Sequence, residues 1–429
     1  MNSQWVVGDQ SGLTIPADPA ALRAGGTRFL TDAFRACGVL NDGDAVSRIT
    51  EFTETPGGST GRKVRLSVEY ATAATGLHTD LFVKFSRDFD NPIRDRGKTQ
   101  MEAEVRFASL SRAPGFPIAV PGALFGDYHR SSGTGILITE RIRFGDNGIE
   151  PQYHKCLDYE MPEPLEHYRA LLTALARLAG THRSGRLAAE GFPLDVRAAT
   201  VGERAPLSVD KLERRLNQLA EFADTHPGLL PVSVRSPDFL ARLRVDVPRL
   251  AHHEHVLLGQ LADDADYVAL CHWNANIDNA WFWRDADGVL RCGLMDWGCV
   301  SQMNLGMAIW GAMSAAETEL WDVHLDELVE LFVGEVHRSG GPRLDATRLR
   351  RHTLLYAAAM GVAWLLDVPA LIRRKFGVDG PRTRKDPRIR ADEGVRAPLQ
   401  MLCNLLSAWQ RYRVGDLLDA ALAEDGRVA

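Results

Sequence analysis

The sequence is poor in several features that would narrow its class at once. Its six cysteines are scattered without a Cys-x-x-Cys pair, which excludes a zinc ribbon or a disulfide-stapled scaffold and fits a reducing compartment. No uninterrupted apolar run approaches the roughly 20 residues that a bilayer-spanning helix needs. The start, Met1-Asn2-Ser3-Gln4-Trp5-Val6-Val7-Gly8-Asp9, lacks the basic-then-apolar order of a signal peptide. A soluble, cytoplasmic protein without a membrane partner is therefore expected. Basic charge is not in excess either: 50 Lys and Arg face 56 Asp and Glu, a net of -6, which argues against a nucleic-acid partner held on a generally basic surface. There is no internal repeat and no low-complexity tract. What is present is 429 residues at 45% hydrophobic composition, enough to bury a large core and long enough for two or three domains or lobes.

The texture of the chain changes along its length. After a predicted helix over 27–37, residues 49–142 read mainly as strands. Val64-Arg65-Leu66-Ser67-Val68-Glu69-Tyr70 alternates with period two, and Asp80-Leu81-Phe82-Val83-Lys84-Phe85 follows a turn. A charged stretch leads into a helical pattern over 100–111, and Gly135-Ile136-Leu137-Ile138-Thr139-Glu140 reads as a further strand. From about residue 162 helices dominate. Leu171, Leu175, Leu178 and His182 share one face of a helix over 164–182, and further helical patterns cover 305–336, 346–367 and 395–422. Residues 267–296 form a strand-rich island whose Asp287-Gly288 pair signals a hairpin. The expected domains are 1–142, the N-terminal segment with a strand-rich lobe, and 143–429, a helical lobe.

Several residue groups carry chemistry. Gly57, Gly58, Ser59, Thr60 and Gly61 precede the alternating strand, and glycines let backbone N–H groups approach a polyphosphate closely. A plain hairpin loop has the same composition. Lys84 closes an apolar strand and Glu104 lies on the next helix, with Glu102 as a competitor. A strand lysine paired to a helix glutamate is the arrangement that holds nucleotide phosphates in protein kinases. Glu140 and Ile142 end the last strand of the lobe, the place where, in a two-lobed kinase, backbone groups would meet an adenine edge. Asn279 and Asp296 flank the hairpin as an oxygen pair suited to a hard cation, and the apolar run before Asp296 suggests a buried carboxylate. His182 reads as a core histidine. His252, His253 and His255 lack the His-Glu-x-x-His spacing of zinc helices and read as a solvated helix start. The basic run from Arg373 to Arg390 is broken by Gly377, Gly380, Pro381 and Pro387 and reads as a loop able to guide an anionic acceptor.

Taken in order, the glycine-rich loop, Lys84, Glu104, Glu140, Gly180-Thr181-His182, the segment from His272 to Asn279, and Asp296-Trp297 resemble the aminoglycoside phosphotransferase, choline kinase and ecdysteroid kinase-like family. The resemblance spans residues 50–365 and is most specific over 272–297. It implies an α+β, two-lobed protein-kinase-like fold with a small β-rich N-lobe and a large, mainly helical C-lobe. It further implies an ATP- and Mg²⁺-dependent phosphotransferase acting on a hydroxyl of a small molecule. Lys84 would anchor the phosphates with Glu104 as its partner, Asn279 and Asp296 would ligate magnesium, and His272 would open the catalytic loop.

Two positions depart from the family pattern His-Gly-Asp-x-x-x-x-Asn: Trp273 stands for Gly and Asn274 for the catalytic Asp. An amide can orient a hydroxyl but cannot take its proton, and a general base is worth about 10² to 10⁴ in rate. Weakened turnover is expected, with Asp278 as a candidate replacement carboxylate. Two other readings stay open: a catalytically silent, kinase-like nucleotide-binding protein, and a nucleotidyltransferase on the same fold.

Overall fold

The computed structural model describes residues 4–428 except 59, 73–75, 189–190, 196–207 and 378. The chain divides into two compact units. The first is Met1–Asn147 with Glu190–Phe192 and Gly293–Val300, and the second is Gly148–Ala189, Pro193–Cys292 and Ser301–Ala429. The architecture is α+β: the larger sheet lies in the first unit and most helices in the second.

In the first unit β1 (Trp5–Val7) pairs with β2 (Thr14–Pro16), and α1 (Pro19–Ala36) follows. This helix starts well before the expected residue 27. Asp18 caps it by accepting from the Ala21 N–H at 2.8 Å, and Pro19 suits the first turn. Gly25-Gly26 obscures that start in the sequence, yet Gly26, at φ 56°, kinks the helix without ending it.

Next come β3 (Val46–Glu54), β4 (Lys63–Tyr70), β5 (Asp80–Phe85), α2 (Pro92–Asp95), α3 (Gln100–Leu110), β6 (Ala123–His129) and β7 (Thr134–Glu140). The strands form one antiparallel sheet in the order β3-β4-β5-β7-β6. Val64, Leu66 and Val68 on β4 and Leu81, Val83 and Phe85 on β5 share a buried core with Phe29 and Phe34 of α1. Full burial of each such side chain contributes roughly 1.5–3 kcal/mol. The other face packs on α3, with Met101 and Val105 against Tyr128 and Leu137. By strand parity, Lys63 and Lys84 belong to this second face.

The second unit contains α4 (Pro164–Arg183), α5 (Val209–Thr225), α6 (Pro237–Asp263), β8 (Val268–His272), β9 (Ala280–Arg284) and β10 (Leu290–Leu294), whose last residues pass into the first unit. It resumes with β11 (Val300–Asn304), α7 (Leu305–Met313), α8 (Thr318–Arg338), α9 (Ala346–Trp364), α10 (Val368–Phe376), α11 (Pro387–Arg390), α12 (Glu393–Tyr412) and α13 (Val414–Val428). The pattern over 305–336 is thus two helices, and that over 395–422 breaks at Arg413, which takes φ 50°. The basic segment is not all loop: Arg373, Arg374 and Lys375 end α10. Pro387 begins α11 behind the Asp386 cap instead of breaking a helix. The three histidines lie in the middle of α6, which starts at the Ser236 cap and runs through Pro248. The stretch Ala346–Phe376 is long and apolar enough to cross a membrane, contrary to the sequence reading, and 72% of its most apolar window is buried within the protein.

Candidate functional site

Two polar arrays stand out, one in each unit. In the first unit the glycine loop is shaped by close approaches. Gly61 takes φ 50°, and a Cβ there would lie 1.7 Å from the Phe85 carbonyl oxygen, so only glycine lets the loop pack onto β5. Gly57 and Gly58 take φ 96° and 82°. A Cβ on Gly58 would meet Lys63 Nζ at 1.8 Å. Arg94 pins the loop by donating to the carbonyls of Gly57, at 3.0 Å, and Gly61. Ser59 lies outside the described residues.

Lys84, 14% exposed at its side chain, donates to Glu104 Oε1 at 2.6 Å and Asp296 Oδ1 at 2.5 Å. Burial opposes its charge, but Asp296 and Glu104 outweigh that and raise its pKa above the usual lysine value. Burial pushes the Glu104 carboxyl upward against the pull of Lys84. Glu102, the competitor, is engaged elsewhere, with Arg106 and Arg130 each at 2.6 Å. Asp296 differs from the buried carboxylate expected, because its side chain is 46% exposed. Its backbone stands at φ 63°, ψ 55°, a left-handed conformation that costs a non-glycine residue of order 1–3 kcal/mol. The turn that imposes this is well anchored. Trp297 stacks on Phe107 with centroids 3.7 Å apart and donates to the Leu294 carbonyl at 3.0 Å. Leu294 N–H in turn donates to the Ala119 carbonyl at 3.0 Å.

Sequence reasoning missed Lys63. It pairs directly with Lys84 across β4 and β5, its ammonium has no hydrogen-bond or ion-pair partner among the described residues, and burial, then Lys84, lower its pKa. Thr60, Lys63, Lys84, Gln100, Glu104 and Asp296 line a small cavity of about 10 Å³. At the end of β7, Glu140 N–H donates to the Gly122 carbonyl at 2.8 Å and its carboxylate accepts from Gly122 N–H at 2.9 Å. Ile142 follows the strand, half-buried.

The second array runs from β8 into a 3-10 turn, Ile277–Asn279. His272 is fully buried, and its Nδ1 accepts from the Asn274 N–H at 3.2 Å. Asn276 Nδ2 donates to Asn274 Oδ1 at 2.8 Å, and Asn279 Nδ2 donates to the Asn274 carbonyl at 2.8 Å. The amide nitrogen of Asn279 is thus turned toward the loop backbone. Asn276 has no role in the sequence reading, although its place two residues after Asn274 is the signal that could have found it. Asp278 pairs with Lys155 at 3.6 Å. Trp273, large where the family pattern has glycine, donates to Tyr356 Oη at 2.8 Å. Its carbonyl oxygen would lie 1.6 Å from a Cβ on Gly311, so α7 is glycine where it meets the loop. His182, half-buried where the sequence reading has a core histidine, accepts from the Leu270 N–H at 3.1 Å. Among the described residues there is no group of three or more His, Cys, Asp or Glu able to hold a metal ion.

No family model matches the chain, and no curated protein matches it. Solved structures of small-molecule kinases are similar to it. One is a microcompartment-associated aminopropanol kinase, at 13% identity over 90% of this chain and 99% of that one, TM-score 0.42. Another is a choline/ethanolamine kinase family protein from Mesorhizobium loti, at 13% identity over 86% and 92%, TM-score 0.40. A third is an aminoglycoside phosphotransferase from Streptomyces rimosus in complex with ADP and streptomycin, at 17% identity over 72% and 92%, TM-score 0.37.

Proposed function

We propose that the chain is a cytoplasmic, ATP- and Mg²⁺-dependent phosphotransferase acting on a hydroxyl of a small molecule. The observation that carries the reading is Lys84, bracketed by Glu104 and Asp296 in a cavity beside a loop whose glycines make room for close backbone contact. Two facing lysines and exposed backbone N–H groups fit a polyphosphate. Lys84 would hold the phosphates, Glu104 would position Lys84, and Gly57, Gly58, Ser59, Thr60 and Gly61 would supply N–H donors. Glu140 and Ile142 would edge the base. Asp296 and Asn279 Oδ1 would hold the magnesium ion. One carboxylate and one amide oxygen fit this ion, which takes the rest of its shell from phosphate oxygens and water. When bound, the metal neutralises charge on the triphosphate.

In the reaction the acceptor oxygen bonds to the γ-phosphorus while the bond to the β–γ bridging oxygen breaks, releasing ADP, and the hydroxyl proton passes to water. Asn274 would orient that hydroxyl, His272 would fix the loop through the Asn274 N–H, and Asp278 is the nearest carboxylate in sequence. Domain roles follow the same reading, with 1–142 as the nucleotide lobe and 143–429 as the catalytic-loop and acceptor lobe.

One observation favours a second reading. Asn274 Oδ1, the atom that would meet the hydroxyl, already accepts from Asn276, as suits a silent nucleotide-binding protein. Incubation with Mg-ATP and a panel of hydroxyl compounds, followed by mass spectrometry, decides between them. Addition of one phosphate supports the kinase, addition of AMP a nucleotidyltransferase, and tight Mg-ATP binding with no product the silent protein.

A further inference from the structure

In the strand-rich unit Lys63 is costly to keep where it is. It opens β4 directly opposite Lys84 on β5, and like charges that face each other across neighbouring strands repel. The backbone holds it there. Its carbonyl accepts from the Thr55 N–H at 3.0 Å, and the next residue, Val64, is fully buried in the core. The side chain is half-buried, yet its ammonium has no hydrogen-bond or ion-pair partner among the described residues. Burial and Lys84 both oppose its charge, and Asp296 and Glu104 offset them only in part. Groups whose charge is opposed in this way gather at functional sites.

Charge and position together say what such a group would hold. Lys84 stands between Glu104 and Asp296, at 2.6 and 2.5 Å, so with all three charged this trio sets one positive charge against two negative ones and repels an anion. Lys63 cancels the excess. A Cβ on Gly58, which takes φ 82°, would meet Lys63 Nζ at 1.8 Å, so the ammonium lies directly beneath the loop that carries the candidate N–H donors. The space enclosed by the array, about 10 Å³, admits no more than a water. A polyphosphate would instead lie along the solvent side of the array, where the Asp296 side chain is 46% exposed.

We propose that Lys63 is a second phosphate-binding cation, which with Lys84 clamps two neighbouring phosphate groups of a polyphosphate, so that the site requires at least a diphosphate. Residues directly opposite on antiparallel strands have Cβ atoms roughly 4.5–5.5 Å apart, a separation that two long side chains can adjust to adjacent phosphates. That the polyphosphate belongs to a phosphotransferase's nucleotide rests on the reading above. The two-lysine clamp does not.

Calorimetric titration of the whole chain with Mg-ATP, ADP, AMP and inorganic tripolyphosphate, in the parent, Lys63→Met and Arg48→Met, tests this. Arg48, on β3 with its side chain 67% exposed, controls for the loss of one positive charge. Lys63→Met lowers affinity for Mg-ATP and tripolyphosphate at least tenfold, Arg48→Met leaves both within twofold, and the parent binds ADP at least tenfold more tightly than AMP. Because the ammonium makes no bond among the described residues, Lys63→Met without ligand unfolds thermally at the parent's temperature or above it, as a lysine serving the fold would not allow. Equal losses in the two variants, equal binding of AMP and ADP, or a lower unfolding temperature for Lys63→Met overturns the proposal. Undiminished Mg-ATP binding by Lys63→Met sinks the clamp and leaves the nucleotide reading intact. Tripolyphosphate binding that needs Lys63, without any Mg-ATP binding, sinks the nucleotide reading and leaves the clamp. A parent that binds neither sinks both.

Discussion

In the strand-rich unit the polar array is built of full charges, Lys84 between Glu104 and Asp296 with Lys63 opposite. In the helical unit it is built of amides, with Asn276 and Asn279 both donating to Asn274. The two designs differ in cost. Taking an ion pair out of water carries a penalty of several kcal/mol per ion before attraction repays it, and two lysines directly opposite on adjacent strands repel. A buried amide need only find its partners, at a penalty of about 1–3 kcal/mol if one is missing. The first unit tolerates the expensive arrangement where a polyanion would need it. The second holds its loop rigid with neutral groups and so lacks the base that proton abstraction requires.

Placing a charge in the amide array is the strongest way to break this contrast. Asn274→Asp keeps the Asn276 bond and restores a group able to accept a proton, so turnover in a coupled ADP assay should rise by about 10² or more. No rise would show that the array orients nothing.

The helical unit also buries a carboxylate, Asp158, which sharpens the comparison through pH. Its folded pKa of about 7 lies above the ordinary carboxylate value of 3.8. The folded state therefore keeps a proton that the unfolded chain has released, and stability falls as pH rises from about 4 to about 7, then levels. The full cost is on the order of 4 kcal/mol. Asp158→Asn should remove this slope, so its stability relative to the parent, from urea denaturation at pH 4 and pH 8, should improve by about that amount at the higher pH. Parallel pH profiles for the two proteins would show that Asp158 titrates normally.

Removing charge from the other array has a smaller effect. Lys84→Met should lower Mg-ATP affinity by about 100-fold, the scale of one or two charge-assisted bonds. Glu102→Gln, a residue paired with Arg106 and Arg130, should leave affinity unchanged, as measured by nucleotide titration. Equal losses in the two variants would deny Glu104 its place.

Much of this organisation is legible in the sequence because it rests on local pattern. Period-two alternation places Val64, Leu66 and Val68 in the core, and a lysine closing such a strand before a helix glutamate picks out Lys84 and Glu104. Lys63 escapes for a reason of register: only the pairing of β4 with β5 reveals that it faces Lys84. Punctuating residues mislead where a cap overrides them. Asp18 with Pro19 starts α1 ahead of Gly26, and Asp386 with Pro387 starts a helix in a segment that reads as loop. The exposure of Asp296 depends on the Trp297–Phe107 stack, a contact between residues 190 positions apart in the sequence.

The central claim is that Asp296 and its partners hold a nucleotide through a divalent ion. Thermal unfolding of the parent and Asp296→Ala, each with ATP in the presence and absence of Mg²⁺, tests it most directly. The account predicts that the parent is stabilised by ATP far more with Mg²⁺ than without, and that the variant loses the Mg²⁺-dependent part. An equal Mg²⁺-dependent shift in both proteins would contradict it.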